Sequence, residues 1–514
     1  MPKVFFDDRS VEAAEGLTLL RAAENAGIHI PHFCYHPAFA PEGSCRMCLV
    51  EIDGLPKLEL ACSTLVKDGL KVRTMSPKVV EARKGVLEFL LAEHPLDCPI
   101  CDKAGECKLQ DYFEEYGLFQ SRFKERKERR EKKFKLGRNL ILDRERCILC
   151  TRCVRFLNEI TKTEDAGILN RGIYSEVGIF ESEFIDNNYS GNLAQICPVG
   201  AITDSDFRFK TRVWFLESRE SVCSLCSRGC NIIMDSHPGH PRTPRPRRVY
   251  RVRARLNPDV NSHWICDYGR YGYAYLDKDR QDKLVWKKGG RETRLSWDKA
   301  AQILAEKIRS LVLHKKNSRI GVILHANLTN EELFLADRLF RRGLGVEKFF
   351  LADPPPGEGD DFLLTPDRTA NRRGLQEIGL PVQAPGLEAL SGLDLLLIFG
   401  HYLSMTASSA DLRNALEKVE TKALFSSHKT GLDGLVDFII PVPVIAEKKG
   451  TLTNIDGRVQ AFAAGLDFEG DGLPEWRALL DLAKELRVET KYFWPLTSPE
   501  AVFRALQKEI PFYK

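Results

Sequence analysis

Fifteen cysteines and one histidine divide into four sets of four potential metal ligands, and no cysteine is left over. All of them lie within the first 266 of 514 residues. Soft thiolate ligands concentrated in this way bind metal clusters, and several clusters in one chain suggest electron transfer. The four sets are Cys34/Cys45/Cys48/Cys62, His94/Cys98/Cys101/Cys107, Cys147/Cys150/Cys153/Cys197 and Cys223/Cys226/Cys230/Cys266.

Composition supports metal ligation rather than disulfide bonding. The net charge of +4 is small against 76 basic and 72 acidic residues, so it gives no case for nucleic-acid binding. No apolar run approaches the roughly 18 residues of a membrane span. The segment Met1–Phe6 lacks the features of a signal or transit peptide. We therefore expect a cytoplasmic chain whose thiols stay reduced, with any membrane association made through a partner.

The first set has the spacing C-x10-C-x2-C-x13-C, with a longer first loop than the plant-type C-x4-C-x2-C pattern. Its setting, a small β-rich domain with one helix, still favours a [2Fe–2S] cluster. Gly43 permits a tight turn beside the sulfurs, and Arg46 offers positive charge. Because this set is already complete, His32 and His36 are expected to be turn or supporting groups rather than ligands.

The second set, H-x3-C-x2-C-x5-C, needs a histidine as its fourth ligand. An isolated histidine at a helix end is usually an ordinary residue. Here three cysteines lack a partner and His94 stands four residues before Cys98, so we predict ligation of a [4Fe–4S] cluster. Imidazole can replace a thiolate on cluster iron.

The third and fourth sets also have spacings suited to [4Fe–4S] clusters. The third, C-x2-C-x2-C-x43-C-P, has the first three cysteines and the closing Cys-Pro of a bacterial ferredoxin. The fourth is C-x2-C-x3-C-x35-C. Structural zinc is the alternative for any single set, but four sets with these spacings favour iron–sulfur clusters.

Residue patterns predict several elements around these sets. Ala82, Val86, Phe89 and Leu90 recur at helical spacing and predict a helix over 77–93. Basic residues dominate 122–138, which suggests a solvated helix or linker, or else a docking surface for an acidic partner. A second basic stretch, 242–255, is interrupted by prolines and suggests an exposed loop.

Beyond about residue 276, strands and helices alternate, which predicts a parallel α/β sheet. Ser296 can cap a helix, and Thr329 with Glu332 forms a capping-box pattern. The predicted strands are Ile320–Leu324, Leu395–Phe399, Ala423–Phe425 and Phe438–Pro441.

The order of the four sets resembles the large iron–sulfur subunit of NADH:quinone oxidoreductase, respiratory complex I. The resemblance covers nearly the whole chain and is most specific in the first 270 residues. Near the end, Ala446–Thr451, Asn454 and Gly457–Gln460 resemble the molybdopterin-oxidoreductase-like part of that subunit. The matching stretches at the ligand sets are Gly43–Cys48, His94–Asp102, Asp143–Cys150, Cys197–Ala201 and Trp264–Asp267.

This resemblance implies that the sixteen residues ligate one [2Fe–2S] and three [4Fe–4S] clusters. Electrons from NADH, oxidised at a flavin in a partner subunit, would pass through them toward quinone. The implied partners are that flavin subunit and further iron–sulfur and quinone-site subunits. The implied location is the cytoplasmic face of the inner membrane, reached only through the complex.

The C-terminal region departs from molybdenum enzymes of the related class. It spans only about residues 276–514 and contains no cysteine. We therefore expect a degenerate scaffold without molybdopterin, and no nucleotide or quinone site in this chain. Alternatives are an equivalent electron-transfer subunit of a NAD-linked hydrogenase or formate dehydrogenase, an independent molybdenum oxidoreductase, and a zinc scaffold.

Together these features predict α+β iron–sulfur modules followed by a parallel-sheet α/β domain. The first module should be a β-grasp-like [2Fe–2S] ferredoxin, and the modules after it should hold [4Fe–4S] clusters. The predicted division of the chain is 1–78, 79–140, 141–215, 216–275 and 276–514.

Overall fold

The computed structural model describes residues 1–180, 184–239, 247–488, 493 and 496–514. They form two compact units, Met1–Leu216 and Glu217–Lys514. Among the described residues, no helix has both the length and the apolar character required to cross a bilayer.

The first unit is built from short strands and helices that alternate with the cysteine loops. Its helices are α1 (Leu19–Asn25), α2 (Pro77–Glu93), α3 (Lys108–Tyr116), α4 (Arg152–Arg155) and α5 (Asn192–Ile196). Its strands are β1 (Lys3–Phe6), β2 (Arg9–Glu12), β3 (Leu49–Ile52), β4 (Glu59–Leu60), β5 (Lys71–Arg73), β6 (Phe134–Gly137), β7 (Leu140–Leu142), β8 (Ala166–Leu169), β9 (Glu176–Ile179) and β10 (Ile202–Asp204).

The amino-terminal sheet has the order β2-β1-β5-β3-β4, with β1 parallel to β5 and the other pairs antiparallel. Helix α1 begins after Thr18, whose side chain accepts the Arg21 N–H, and its Leu20 and Ala23 join the core beneath the sheet. The predicted β-rich domain with one helix is confirmed. Its first cysteine set therefore lies in loops attached to a packed core.

Helix α2 has the predicted bounds, but its buried face differs from the predicted one. Val79, Arg83 and Leu87 are buried, whereas Phe89 is 84% exposed. The Arg83 guanidinium donates a hydrogen bond to the Tyr116 hydroxyl (3.0 Å). A charged residue can occupy the inner face because its polar head has a partner there.

The basic segment 122–138 contains no helix, so the helical alternative was wrong. It is an extended segment that ends in β6. Several of its charges are paired rather than solvated: the Lys127 ammonium donates to the carbonyl oxygens of Leu91 (2.6 Å) and His94 (2.5 Å). Lys132 pairs with Asp97 (2.6 Å). The segment therefore covers the end of α2, where the second ligand set begins.

The second unit holds the remaining elements. Its helices are α6 (Asp267–Tyr271), α7 (Trp297–Leu313), α8 (Asn330–Ala336), α9 (Arg372–Ile378), α10 (Leu387–Ser391), α11 (Ser409–Leu416), α12 (Glu475–Glu485) and α13 (Pro499–Glu509). Its strands are β11 (Glu217–Val222), β12 (Asn231–Ser236), β13 (Val249–Ala254), β14 (Val285–Lys288), β15 (Arg291–Arg294), β16 (Ile320–Leu324), β17 (Lys348–Leu351), β18 (Val382–Gln383), β19 (Leu395–Phe399), β20 (Thr421–Ser426), β21 (Phe438–Pro441), β22 (Gly450–Thr453) and β23 (Val459–Phe462).

The main sheet of this unit has the order β15-β14-β21-β20-β19-β16-β17-β18. It is parallel from β21 to β18, and only β14 and β15 run antiparallel. Every residue of β16 and β19 is buried, as expected for central parallel strands covered on both faces. The predicted parallel α/β architecture is confirmed.

Two capping predictions had different outcomes. Thr329 and Glu332 form the predicted capping box at the start of α8. Ser296 occupies the N-cap position of α7, but its side chain makes no capping hydrogen bond.

The predicted exposed loop at 242–255 was wrong over its second half. Residues 249–254 form β13, which pairs with β12, while residues 242–246 lie outside the described part of the chain. Arg251 and Arg253 both pair with Asp235, at 2.5 and 2.7 Å. Their charges are accommodated in a strand because a buried carboxylate lies opposite.

Candidate metal centres

The first set brings its four thiols together as two hydrogen-bonded pairs. The Cys45 thiol lowers the pKa of Cys34 to about 5, and the Cys48 thiol lowers the pKa of Cys62. Gly43 precedes this loop with φ +75°, and a side chain there would meet Leu60 at 2.9 Å. The predicted turn at Gly43 is thus present, and its positive φ favours glycine there.

The second set surrounds the carboxyl end of α2. His94 is the residue after that helix, Cys98 opens a short 3-10 turn, and Cys107 precedes α3. Burial, with the nearby charge of Lys127, lowers the pKa of His94 to about 4, so the imidazole is neutral. Its Nδ1 is buried without a hydrogen-bond partner among the described residues. An unpartnered neutral imidazole is the form that ligates metal.

His94, Cys98 and Cys107 line one cavity of about 330 Å³. Cys101 is close enough to Cys98 and Cys107 to interact with them electrostatically. It also approaches the third set, since a side chain on Gly200 would meet its sulfur at 2.3 Å. The Gly200 backbone therefore separates the second ligand set from the third without any intervening side chain.

The third set has the most complete grouping, because Cys147, Cys150, Cys153 and Cys197 all line one enclosed space of about 20 Å³. Burial raises the pKa of Cys147 and Cys150 to about 12 and also raises that of Cys153 well above its ordinary value. Such thiols lose their protons when a metal compensates the charge. The donor set thus fits a cationic iron–sulfur core better than four free thiols.

The fourth set lies in the second unit, between β11 and β12 and at the start of α6. The Cys223 N–H donates to the Cys230 carbonyl (2.8 Å), which closes the loop on itself. Cys266 is the N-cap of α6, and its sulfur accepts the Gly269 N–H (3.3 Å). Burial raises the pKa of Cys266 to about 12.

Cys226, the second predicted ligand of the fourth set, lies in the same loop and is 4% exposed. Burial, with the charges of Cys226 and Cys266 close by, raises the pKa of both Cys223 and Cys230. Thiols affect one another's ionisation in this way only at short range. The structure therefore brings Cys226 near the other three cysteines of its set, while its ligation of a cluster stays a prediction.

Residues far along the chain support the fourth loop, and the sequence patterns did not predict this role. The Asn454 amide donates to the Arg228 carbonyl (3.2 Å), and the Gln460 amide donates to the Gly229 carbonyl (2.8 Å). The Ile455 N–H donates to the Ser227 carbonyl (2.8 Å). The β22–β23 hairpin therefore holds the loop between the second and third cysteines of the set, Cys226 and Cys230.

Arg152 is a second residue that the sequence patterns did not identify. It is 6% exposed, and its guanidinium donates to the carbonyl oxygens of Tyr35 and Ile196. Tyr35 follows Cys34 of the first set, and Ile196 precedes Cys197 of the third. One buried cation thus contacts the backbone of two ligand sets.

In the described part of the chain, no three His, Cys, Asp or Glu side chains converge closely enough to hold a single metal ion. This holds for all four predicted sets, including Cys223, Cys226, Cys230 and Cys266. A polynuclear cluster does not require such convergence, because its ligands are shared among several irons.

Three family models match the first unit. The 2Fe-2S iron-sulfur cluster binding domain matches residues 3–77. The NADH-ubiquinone oxidoreductase-G iron-sulfur binding region matches 83–122. The ferredoxin-like domain of NADH-quinone oxidoreductase subunit 3 matches 137–203. These ranges contain the first, second and third ligand sets respectively.

Curated relatives include the G subunit of NADH-quinone oxidoreductase from Streptomyces coelicolor, 38% identical over 70% of this chain and 41% of that protein. The NADH-ubiquinone oxidoreductase 75 kDa subunit of Reclinomonas americana is 38% identical over 69% of this chain and 50% of its own length. The mitochondrial NADH dehydrogenase [ubiquinone] iron-sulfur protein 1 of Solanum tuberosum is 40% identical over 68% of this chain and 45% of its own length.

The chain thus spans half or less of the length of these relatives. A solved chain of NAD+-reducing [NiFe]-hydrogenase in the H2-reduced state is 33% identical over 41% of this chain and 91% of its own, with a TM-score of 0.38. Over about two thirds of its length, the chain is a relative of the large iron–sulfur subunit of NADH-quinone oxidoreductase.

Proposed function

We propose that this chain is the electron-transfer subunit of a complex I-type NADH dehydrogenase. It would hold one [2Fe–2S] and three [4Fe–4S] clusters on the sixteen residues of the four sets. The supporting observation is that the three sets of the first unit fall inside three matched iron–sulfur families, while their thiols are grouped and mostly buried. Bound clusters would supply reversible one-electron chemistry.

The protein's own contribution is to exclude water and to donate hydrogen bonds to sulfur. The N–H groups of Phe33 and Leu149 donate to the sulfurs of Cys45 and Cys147, both at 3.4 Å. Such donors stabilise negative charge on the sulfurs and raise the reduction potential. The neutral His94 ligand acts in the same direction, because it replaces a negatively charged thiolate.

The proposal extends to the partners and the location. A flavin subunit would deliver electrons that originate from NADH, and further iron–sulfur and quinone-site subunits would receive them. The chain would reach the cytoplasmic face of the membrane only through these partners. The α/β region would be a scaffold without molybdopterin.

Anaerobic reconstitution of the full chain tests the proposal. We expect about fourteen irons per chain and low-temperature EPR signals on reduction. His94→Ala should reduce the count to about ten, since one tetranuclear cluster loses a ligand. His94→Cys should keep about fourteen irons but lower the potential of one cluster.

His29→Ala is the matched control, because His29 is exposed and belongs to none of the sets. It should leave both the iron count and the EPR spectrum unchanged. Colourless protein without acid-labile sulfide, or His94→Ala protein with a full iron count and an unchanged spectrum, would contradict the ligand assignment.

A further inference from the structure

The second unit contains a cavity of about 330 Å³ at the carboxyl ends of its parallel strands. His325 follows β16, His401 follows β19 and His428 follows β20, and all three line it. The strand order β18-β17-β16-β19-β20-β21 changes direction between β16 and β19. Open parallel sheets bind ligands at this switch point, outside the carboxyl ends of the strands. The position alone therefore marks the cavity as a candidate binding site.

Two histidine rings of the cavity are neutral. Burial lowers the pKa of His325 well below its ordinary value and that of His401 to about 4. Lys448 and Glu475 both line the cavity, and the Lys448 ammonium makes hydrogen bonds to Glu332 (2.8 Å) and Glu475 (2.9 Å). Because these carboxylates compensate its charge, the cavity offers little attraction for a phosphate or another anion.

Two side chains have hydrogen-bond donors that the protein does not use. Nδ1 of His325 accepts the Asn327 N–H (3.2 Å), so the neutral ring carries its proton on Nε2. The Tyr402 hydroxyl accepts from the Asn327 amide (3.1 Å), which leaves its own proton to be donated. Among the described residues, neither proton has an acceptor.

His401 adds a stacking surface and a further polar edge. Its ring lies 4.3 Å from that of Tyr402, centroid to centroid, and no described group hydrogen bonds to its nitrogens. His428 differs, since its ring nitrogens contact the Ser427 hydroxyl (2.8 Å) and the Tyr275 carbonyl (2.9 Å). The hydrogen-bond donors that remain available to a ligand thus lie on the side of the cavity next to β16 and β19, at the switch point of the sheet.

We propose that this cavity binds a small, neutral, planar ring compound with carbonyl acceptors, of the quinone or flavin-ring class, in contrast to the expectation from the sequence that this chain has no quinone site. Its lining is rich in aromatic rings, among them His401 and Tyr402, which can pack against a ring system, and its unused donors match carbonyl oxygens. The volume is at the low end for ligand sites, which fits one ring system rather than a dinucleotide. Ser224, Leu225 and Tyr268 form another part of the lining, so the ligand would lie against the loops of the fourth cysteine set.

Binding of menadione and lumiflavin to the full reconstituted chain tests the proposal, with flavin mononucleotide as the anionic comparison. We expect a saturable one-to-one site with Kd below roughly 100 µM for at least one neutral probe. Whichever of the two binds more tightly identifies the ring class. Flavin mononucleotide should bind no better than lumiflavin, because no uncompensated cation is present for its phosphate among the described residues that line the cavity.

Two variants remove donors while keeping ring volume. His401→Phe and Tyr402→Phe should each weaken binding about tenfold. His314→Phe is the matched control, because His314 is exposed at the end of α7 and does not line the cavity; it should bind as the wild type does.

Several outcomes would overturn the proposal. They are the absence of saturable binding for both neutral probes, unchanged affinity in both cavity variants, and tenfold tighter binding of flavin mononucleotide than of lumiflavin. Because binding is measured directly, these outcomes are independent of whether electrons reach the fourth cluster, and the iron count reports separately on the clusters.

Discussion

At the scale of single residues, the buried polar side chains show most clearly what local sequence patterns miss. Cysteine spacing identifies ligands because neighbouring thiolates must reach one cluster. Arg152 and Gln460 have no such signature, since their partners lie far away in the sequence: Tyr35 for Arg152, and Gly229 for Gln460. Supporting residues of this kind become visible only when the fold brings their partners together.

Arg152 should set the potentials of two clusters at once. Arg152→Met removes a positive charge near the first and third sets, so reduction of both clusters should become harder. We expect shifts of roughly 60 mV to more negative values, a tenfold change in each reduction equilibrium, measured by EPR redox titration. Arg152→Lys keeps the charge and should recover part of the shift.

Arg138→Met serves as the control for this experiment, because Arg138 is a surface residue paired with Asp186. The reduction potentials of the clusters in Arg138→Met should equal those in the wild type. Equal potentials in Arg152→Met would show that Arg152 braces the backbone without acting electrostatically on the clusters.

At the scale of elements, predictions succeeded where the signal was local. Strands β16 and β19 are continuous apolar runs, and the Thr329–Glu332 capping box needs only four residues. The buried face of α2 was predicted wrongly because Arg83 finds a distant partner in Tyr116. The cavity histidines gave no sequence signal, since each is a single residue after a different strand.

A buried carboxyl group where α8 contacts β22 makes the stability of the fold depend on pH. Glu331 is buried and accepts hydrogen bonds from the Thr451 N–H and hydroxyl, both at 2.9 Å. Burial raises its pKa from 4.5 to about 7. Between these values the folded state keeps a proton that the unfolded state has lost, so the free energy of unfolding falls as the pH rises.

Glu331→Gln should remove this pH dependence, because a neutral amide can still bond to Thr451. Between pH 4.5 and pH 8, the free energy of unfolding of the variant should rise relative to that of the wild type by on the order of 2–3 kcal/mol. Denaturant unfolding at several pH values, followed by tryptophan fluorescence, measures the difference. A difference between variant and wild type that stays constant with pH would contradict the assigned pKa.

At the scale of the whole molecule, the division into two units separates the ligand sets. The first three sets lie entirely within Met1–Leu216, and the fourth lies within Glu217–Lys514. No predicted set draws ligands from both units. Each unit has its own buried core, which is the ordinary condition for independent folding.

A fragment of residues 1–216 should therefore fold and take up clusters by itself. We expect about ten irons per fragment after anaerobic reconstitution, from one binuclear and two tetranuclear clusters. Iron analysis and EPR, compared with the full chain, measure this. An aggregated or iron-poor fragment would show that the first unit needs the second in order to fold.

The hairpin that holds the fourth cysteine loop also has a consequence for biosynthesis. Residues 227–229 make hydrogen bonds to Asn454, Ile455 and Gln460, which leave the ribosome more than two hundred residues later. Domains generally fold as units while the chain is being made, amino-terminal parts first. The first three pockets can thus mature during translation, whereas the last must wait until residue 460 has emerged.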